Sequence, residues 1–380
     1  MKPKSKAMGR VACLLSASIA SLLRGAGSFD EHPYSLSASF KTPMDTLAGL
    51  TDWAQGINYV YAITTVVVAI VFLAVSIPLV YAIRRFRVSD EEWGTLVPPK
   101  QVHGNAILEF TWTIIPVILL LFIAVPTWQI IFRQPEKHQV PANAMRIEVI
   151  GHQWWWEFRY PELGITTANE LHLPEKTPVY FEISSADVIH SFWVPQFGGK
   201  MDALPGKGAE NHLFFTTPVL QHPEKKGGEY YQGQCAELCG LSHALMRFEA
   251  VLHEKAEFER WATVFHNPPV VQTDLEKKGE QVFMQCMSCH TIEKTPSADL
   301  EKQLLAMTPP AHKAGPNLTD FGSRRMIAAG TRHNTAENFH DWVHDPSSIK
   351  PGSKMVSLGL PQADIEAVAA YLRYSTAKTY

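Results

Sequence analysis

A chain of 380 residues has room for more than one domain, and 46% hydrophobic with 19% charged residues excludes a disordered polymer. A formal net charge of −3 excludes the strongly basic balance expected of a nucleic-acid partner. Five cysteines stand at 13, 235, 239, 286 and 289, and four of them form two close pairs, which excludes a dispersed disulfide framework.

The N-terminus reads as a targeting signal. Lys2, Lys4, Lys6 and Arg10 precede a short apolar stretch over 11–23 that is too short to span a bilayer, so a signal peptide over 1–26 is expected. Residues 57–83 and 111–132 are then two uncharged runs, each long enough to cross a hydrocarbon core of roughly 30 Å. Pro78, Pro116 and Pro126 are tolerated because membrane helices accept proline. Together these runs predict a transmembrane hairpin over 50–134. Arg84, Arg85, Arg87 and Lys100 lie between the spans, so this loop faces the cytoplasm and everything after the second span lies outside.

From residue 145 the pattern becomes that of strands. "MRIEVIGHQWWWEFRY", "TPVYFEIS", "ENHLFFTT" and "MRFEAVLH" are β-branched and aromatic runs broken by Pro and Gly, which predicts a β-sandwich or barrel over 140–262. "FHNPPVVQ" reads as a linker. Residues 273–380 then turn helical, through "DLEKKGEQVFMQC", "AENFHDWVHD" and "QADIEAVAAYLRYS".

The segment "GQCAELCGLSHALM" places Cys235, Cys239, His243 and Met246 within twelve residues, and "DVIHSFWVP" adds His190 at a strand end. Thiolates, imidazoles and a thioether form a soft donor set suited to copper, and two cysteines let two metals share bridging sulfurs. Three other readings stay open: a Cys235–Cys239 disulfide, one zinc held with His243 and His190, and Met246 as core. Further on, "CMSCH" is a C-x-x-C-H haem attachment pattern, with Cys286 and Cys289 as thioether points and His290 as iron ligand. A redox dithiol or half a zinc site are the alternatives there.

The runs "HSFWVPQFGGKMDALPG" and "GQCAELCGLSHALM" resemble subunit II of cytochrome c oxidase, the haem-copper oxygen reductase, over roughly residues 45–255. The resemblance implies a cupredoxin-like domain holding a binuclear copper A centre. His190, Cys235, Cys239, His243 and Met246 would be side-chain ligands, and Glu237 would ligate through its backbone carbonyl. In that family the Glu237 carboxylate also touches a magnesium ion shared with subunit I. "GHQWWWEFRY" puts Trp154 at the family's electron-input position, and "NAILEFTWTIIP" puts Glu109 at a proton-channel mouth. Core packing for Trp154 and an ordinary helix-end acid for Glu109 stay open.

The C-terminal part resembles a small, all-α class I cytochrome c, with "GPNL" at 315–318 and Tyr371 on a closing helix. The resemblance places Met355 of "IKPGSKM" as sixth iron ligand, with Met326 as runner-up and Met307 in an unusually long stretch before "GPNL". Between 274 and 378 twelve basic residues balance twelve acidic ones, so charge does not identify the donor. The function implied is the electron-input subunit of a respiratory oxidase in the bacterial inner membrane. Its partners would be subunits I and III and a donor cytochrome c or membrane complex. Electrons would pass through haem c and copper A to haem a for proton-pumping oxygen reduction. A nitric oxide reductase subunit and a copper chaperone are the alternatives.

Overall fold

A computed structural model describes residues 45–95, 97, 100–135, 137–223, 227–265, 271–292 and 315–374. The expected signal peptide, Cys13, Met307 and most of the expected linker lie outside these residues.

Two long helices come first. α1 (Asp52–Arg85) starts at Thr51, whose hydroxyl accepts the Ala54 N–H at 3.1 Å, and it ends in Arg84 and Arg85. α2 (Ala106–Ile131) starts at Asn105, whose side chain accepts the N–H groups of Ile107 and Leu108. Pro78 lies inside α1, and Pro116 and Pro126 lie inside α2. Neither helix buries any of its most apolar window. A helix apolar all round with no protein cover is built for lipid. The two helices approach closely where Gly56 meets Ile130, since a Cβ on Gly56 would lie 3.3 Å from that side chain.

α1 begins five residues before the apolar run because its first turn is held by the next domain. The Thr51 hydroxyl donates to the Phe197 carbonyl at 2.6 Å, and the Leu50 N–H donates to the Gln196 carbonyl at 2.9 Å. Trp53 lies across Gly198, whose φ is +151° and where a Cβ would sit 2.2 Å from the indole. Only glycine fits both the backbone angle and the space.

Ten strands follow: β1 (Met145–His152), β2 (Trp155–Tyr160), β3 (Ile165–Ala168), β4 (Glu170–Pro174) and β5 (Pro178–Ser185), then β6 (His190–Trp193), β7 (Met201–Ala203), β8 (Asn211–Thr216), β9 (Glu229–Cys235) and β10 (Arg247–His253). They form two sheets, ordered β3-β2-β1-β5-β8 and β4-β10-β9-β6-β7. β1 pairs with β5 in parallel, as β4 does with β10, and the other pairs are antiparallel. Aromatic side chains fill the space between the sheets. Trp156 meets Phe192 edge-on at 5.8 Å, and Phe192 stacks on Phe248 at 5.1 Å.

The run "MRIEVIGHQWWWEFRY" is two strands rather than one. The chain reverses at Gln153–Trp154, and His152 pairs with Trp155. The strand pattern also gave no sign of β9 or of α3 (Lys255–Phe265), which closes the sandwich with Phe258, Trp261 and Phe265 buried. Trp261 stacks on His172 with ring centroids 4.2 Å apart.

The last part is helical: α4 (Asp274–Phe283), α5 (Ala336–His344) and α6 (Gln362–Tyr374), with a two-residue ladder joining Met326–Ile327 to Arg332–His333. Thr273 and Glu276 form a capping box at the start of α4. α4 and α6 cross at Gly279, where a Cβ would lie 2.0 Å from the Ala367 carbonyl oxygen. Phe283 packs on Tyr371 at 5.5 Å beside this crossing.

Candidate metal and haem sites

The pairing of β6 with β9 aligns Phe192 with Cys235, so His190 at the start of β6 stands beside the end of β9. The following loop returns to β10 under backbone control: the Cys235 N–H donates to the Met246 carbonyl and the Ala236 N–H to the Ser191 carbonyl, both at 2.9 Å. His190 Nδ1 lies 3.8 Å from Cys235 Sγ, and the two Sγ atoms are 3.7 Å apart. Cys239 Sγ is 3.6 Å from His243 Nδ1 and 3.8 Å from Met246 Sδ. His190, Cys235, Cys239 and Met246 are buried, while His243 is half-buried and Glu237 exposed. The Glu237 carbonyl oxygen lies 3.2 Å from Cys235 Sγ.

Both cysteines are free thiols. Five side-chain donors and a carbonyl exceed the four ligands of a tetrahedral zinc, and their softness fits copper. His190 Nε2 donates to Asp187 Oδ1 at 2.9 Å, which orients the ring so that Nδ1 faces the sulfur. Hydrogen bonding from Cys239 lowers the Cys235 thiol against the cost of burial, with His190 adding to the effect. The partner thiol of Cys239 is pushed up by the same bond and by burial. The two sulfurs lie close enough to face one metal site, and metal binding would displace thiol protons there. Burial pushes the Asp187 carboxyl up, but bonds from His190, the backbone N–H groups of Gln153 and Val188, and Lys354 outweigh it and hold the group well below the usual carboxylate range.

Cys286, Cys289, His290 and Met355 line one cleft. His290 Nδ1 donates to the Pro316 carbonyl at 2.8 Å, a bond that orients the ring with Nε2 as the atom an iron would take. Gly315 presses on this ring, since a Cβ there would lie 2.8 Å from His290 Cε1. Burial pushes the Cys286 thiol up to about 11. Two thiols, an oriented imidazole and a thioether around an apolar cleft fit a covalently held haem.

Trp154 joins the two sites. Its Nε1 donates to the Cys239 carbonyl at 3.0 Å, and the same residue lines the haem-motif cleft together with Trp155 and Lys350. Lys350 Nζ donates to the Trp154 carbonyl, and burial pushes its amine down to about 7.

Glu109 is not part of this constellation. It lies in the first turn of α2, exposed, and its carboxylate accepts the Asn105 N–H at 3.2 Å. Met326 sits in the small ladder opposite His333 and does not line the cleft. Sequence reasoning missed Asp187, Ser242, Lys350 and Lys354. Asp187 carried a signal, standing three residues before His190. The others touch partners distant in sequence and carried none.

Two apolar helices, a two-sheet sandwich with a soft donor cluster, and a helical haem-motif domain define a membrane-anchored redox subunit. Residues 48–130 match the family described as cytochrome c oxidase subunit II, transmembrane domain, and residues 163–252 match its periplasmic domain. Residues 276–376 match the cytochrome c family. Cytochrome c oxidase subunit 2 of Bacillus subtilis is 36% identical over 348 residues, covering 89% of this chain and 93% of the relative. The proteins of the same name from Alkalihalophilus pseudofirmus and Bacillus sp. PS3 are 36% and 40% identical, covering 87% and 72% of this chain and 90% and 76% of theirs. A crystal structure of the periplasmic domain of subunit II of cytochrome oxidase from Bradyrhizobium japonicum is 30% identical, with a TM-score of 0.29, over 33% of this chain and 94% of that one.

The chain belongs to the cytochrome c oxidase subunit II family and carries a C-terminal cytochrome c domain. It is a subunit of a membrane-embedded oxidoreductase complex, with a cupredoxin-like domain and two anchoring helices, and its domains imply copper A and haem c.

Proposed function

We propose that this chain is the electron-input subunit of a proton-pumping cytochrome c oxidase, relaying electrons from a donor through haem c to copper A and on to haem a of subunit I. When bound, the two groups would supply reversible one-electron chemistry with no atom transferred. Cys286 and Cys289 anchor the haem covalently, and His290 and Met355 hold its iron. His190, Cys235, Cys239, His243, Met246 and the Glu237 carbonyl hold copper, with the Glu237 carboxylate available to a magnesium ion shared with subunit I. Glu109 serves the mouth of a proton path.

The observation that carries this reading is the position of Trp154. One indole lines the haem-motif cleft and hydrogen-bonds the carbonyl of Cys239, so a side chain bridges the two donor sets. The basic loop between the helices supports an orientation with both centres on the outer face of the bacterial inner membrane, and the same reading includes removal of a signal peptide over 1–26. The division into 50–134, 140–262 and 273–380 belongs to the same reading, as do subunits I and III as neighbours and a cytochrome c or membrane complex as donor.

The test is the purified complex. Two coppers and one covalent haem per copy of this chain, with oxygen uptake driven by a reduced cytochrome, are expected. Consumption of nitric oxide instead of oxygen would move the chain to a nitric oxide reductase, and a single, readily released copper would make it a copper carrier.

A further inference from the structure

The loop that carries Met355 is held to the copper domain at three points. Lys350, only 4% exposed, donates from Nζ to the Trp154 carbonyl and, at 3.4 Å, to the Ala328 carbonyl. Ser242 Oγ donates to the Pro351 carbonyl at 2.6 Å. Lys354 Nζ donates to Asp187 Oδ2 at 3.2 Å. Between these points Gly352 lies against the indole of Trp154. Its φ is +77°, and a Cβ there would come within 2.9 Å of the ring.

Each anchor on the copper side is one step from a candidate ligand. Trp154 bonds the Cys239 carbonyl, Ser242 precedes His243, and Asp187 accepts from His190 Nε2. We propose that Lys350, Ser242 and Lys354 form a clamp that fixes the axial-ligand loop of the haem domain to the copper loop, so that the two donor sets move as one body. The clamp rests on the copper and haem assignments given above, and it makes these three positioning residues for the haem-to-copper step.

The members differ in weight. Lys350 is buried, and without its amine the Trp154 carbonyl loses that donor. The Lys354–Asp187 pair has a lysine side chain 56% exposed, so water and salt weaken it. A tethered domain held only by such surface pairs would come off its docking site as ionic strength rises. The bonds made by Lys350 and Ser242, whose own side chains are buried, resist that. The native haem-to-copper rate should therefore be indifferent to salt.

The test uses the full complex and two readouts. The first is the haem-to-copper electron-transfer rate after rapid reduction of the haem, at low and high salt. The second is amide hydrogen exchange at Ser353 and Met355, which needs no electron transfer. Lys350→Met with Ser242→Ala should slow the rate and speed exchange by about tenfold each, the loss of roughly one to two net hydrogen bonds. The slowed rate should also become salt-dependent. Copper and haem content, and the optical signature of methionine-ligated haem, should stay native. Lys350→Arg should restore much of both. If the double variant misfolds, Ser242→Ala alone should still raise exchange at the loop. Native exchange and a native, salt-independent rate in the double variant would overturn the clamp. A wild-type complex lacking copper or haem would instead sink the electron-transfer reading while leaving the exchange result to judge the clamp.

Discussion

The two donor sets are built in opposite ways. Of the copper-type donors, His190 and Cys235 stand at the ends of paired strands and Cys239, His243 and Met246 on the loop into β10, connected by distances of 3.6 to 3.8 Å and braced by backbone bonds. The haem-type donors come from separate segments of a small helical domain, and Trp154 and Trp155 of the copper domain complete the wall of their cleft. The ends of paired strands and the loop between them preorganise a compact metal site, whereas a large flat cofactor must supply part of the core around it. Removal of metal should therefore cost the first site its charge balance. Removal of haem should cost the second its fold.

The largest effect follows directly. Cys286→Ser with Cys289→Ser should abolish covalent haem and unfold the haem domain, seen as lost haem staining and lost helical circular dichroism, while copper binding persists. A haem-free domain with native helicity would erase the contrast. Next, Gly279→Ala forces a methyl into the Ala367 carbonyl at the α4–α6 crossing and should cost about 1–3 kcal/mol in that domain's unfolding transition. The transition of the β-sandwich should not move.

Asp187→Asn weakens the carboxylate that orients His190 and should lower copper retention about 10- to 100-fold in competition with a chelator. Haem content should be unaffected. The smallest effect concerns Glu249 on β10, 3.5 Å from Arg325 of the haem domain. Burial pushes its carboxyl up to about 7 from an ordinary value of 4.5, against the pull of Arg325. Between those pH values the folded chain holds a proton that the unfolded chain has released, so stability falls as pH rises through the window. Glu249→Gln should raise Tm slightly above pH 7 and leave it unchanged below pH 4.5.

Much of this was legible in the residues themselves. The helices α1 and α2 announce themselves because lipid demands a long, uncharged, continuous run, and continuity is a property of sequence. The close spacing of Cys235, Cys239, His243 and Met246, and of Cys286, Cys289 and His290, is equally local, so the chemistry of both sites could be read before any fold was known. His190 lies 45 positions before Cys235 and was read from its place at a strand end, as the second histidine that a two-copper site requires. β9 and α3 escaped notice, since a strand of alternating Tyr, Gln and Gly and a charged helix are stabilised by what they pack against rather than by their own pattern.

The sequence by itself determined the two apolar helices and the donor types grouped at each site, because charge-free continuity and ligand spacing are local properties of the chain. Tertiary structure alone decided how the sites meet. The bond from Trp154 to Cys239, the burial of Lys350 beneath the Trp154 carbonyl and the contact of Ser242 with Pro351 join residues about 85, 196 and 109 positions apart. No local pattern encodes such pairs. They form only when two independently patterned domains have shapes and polar groups that fit.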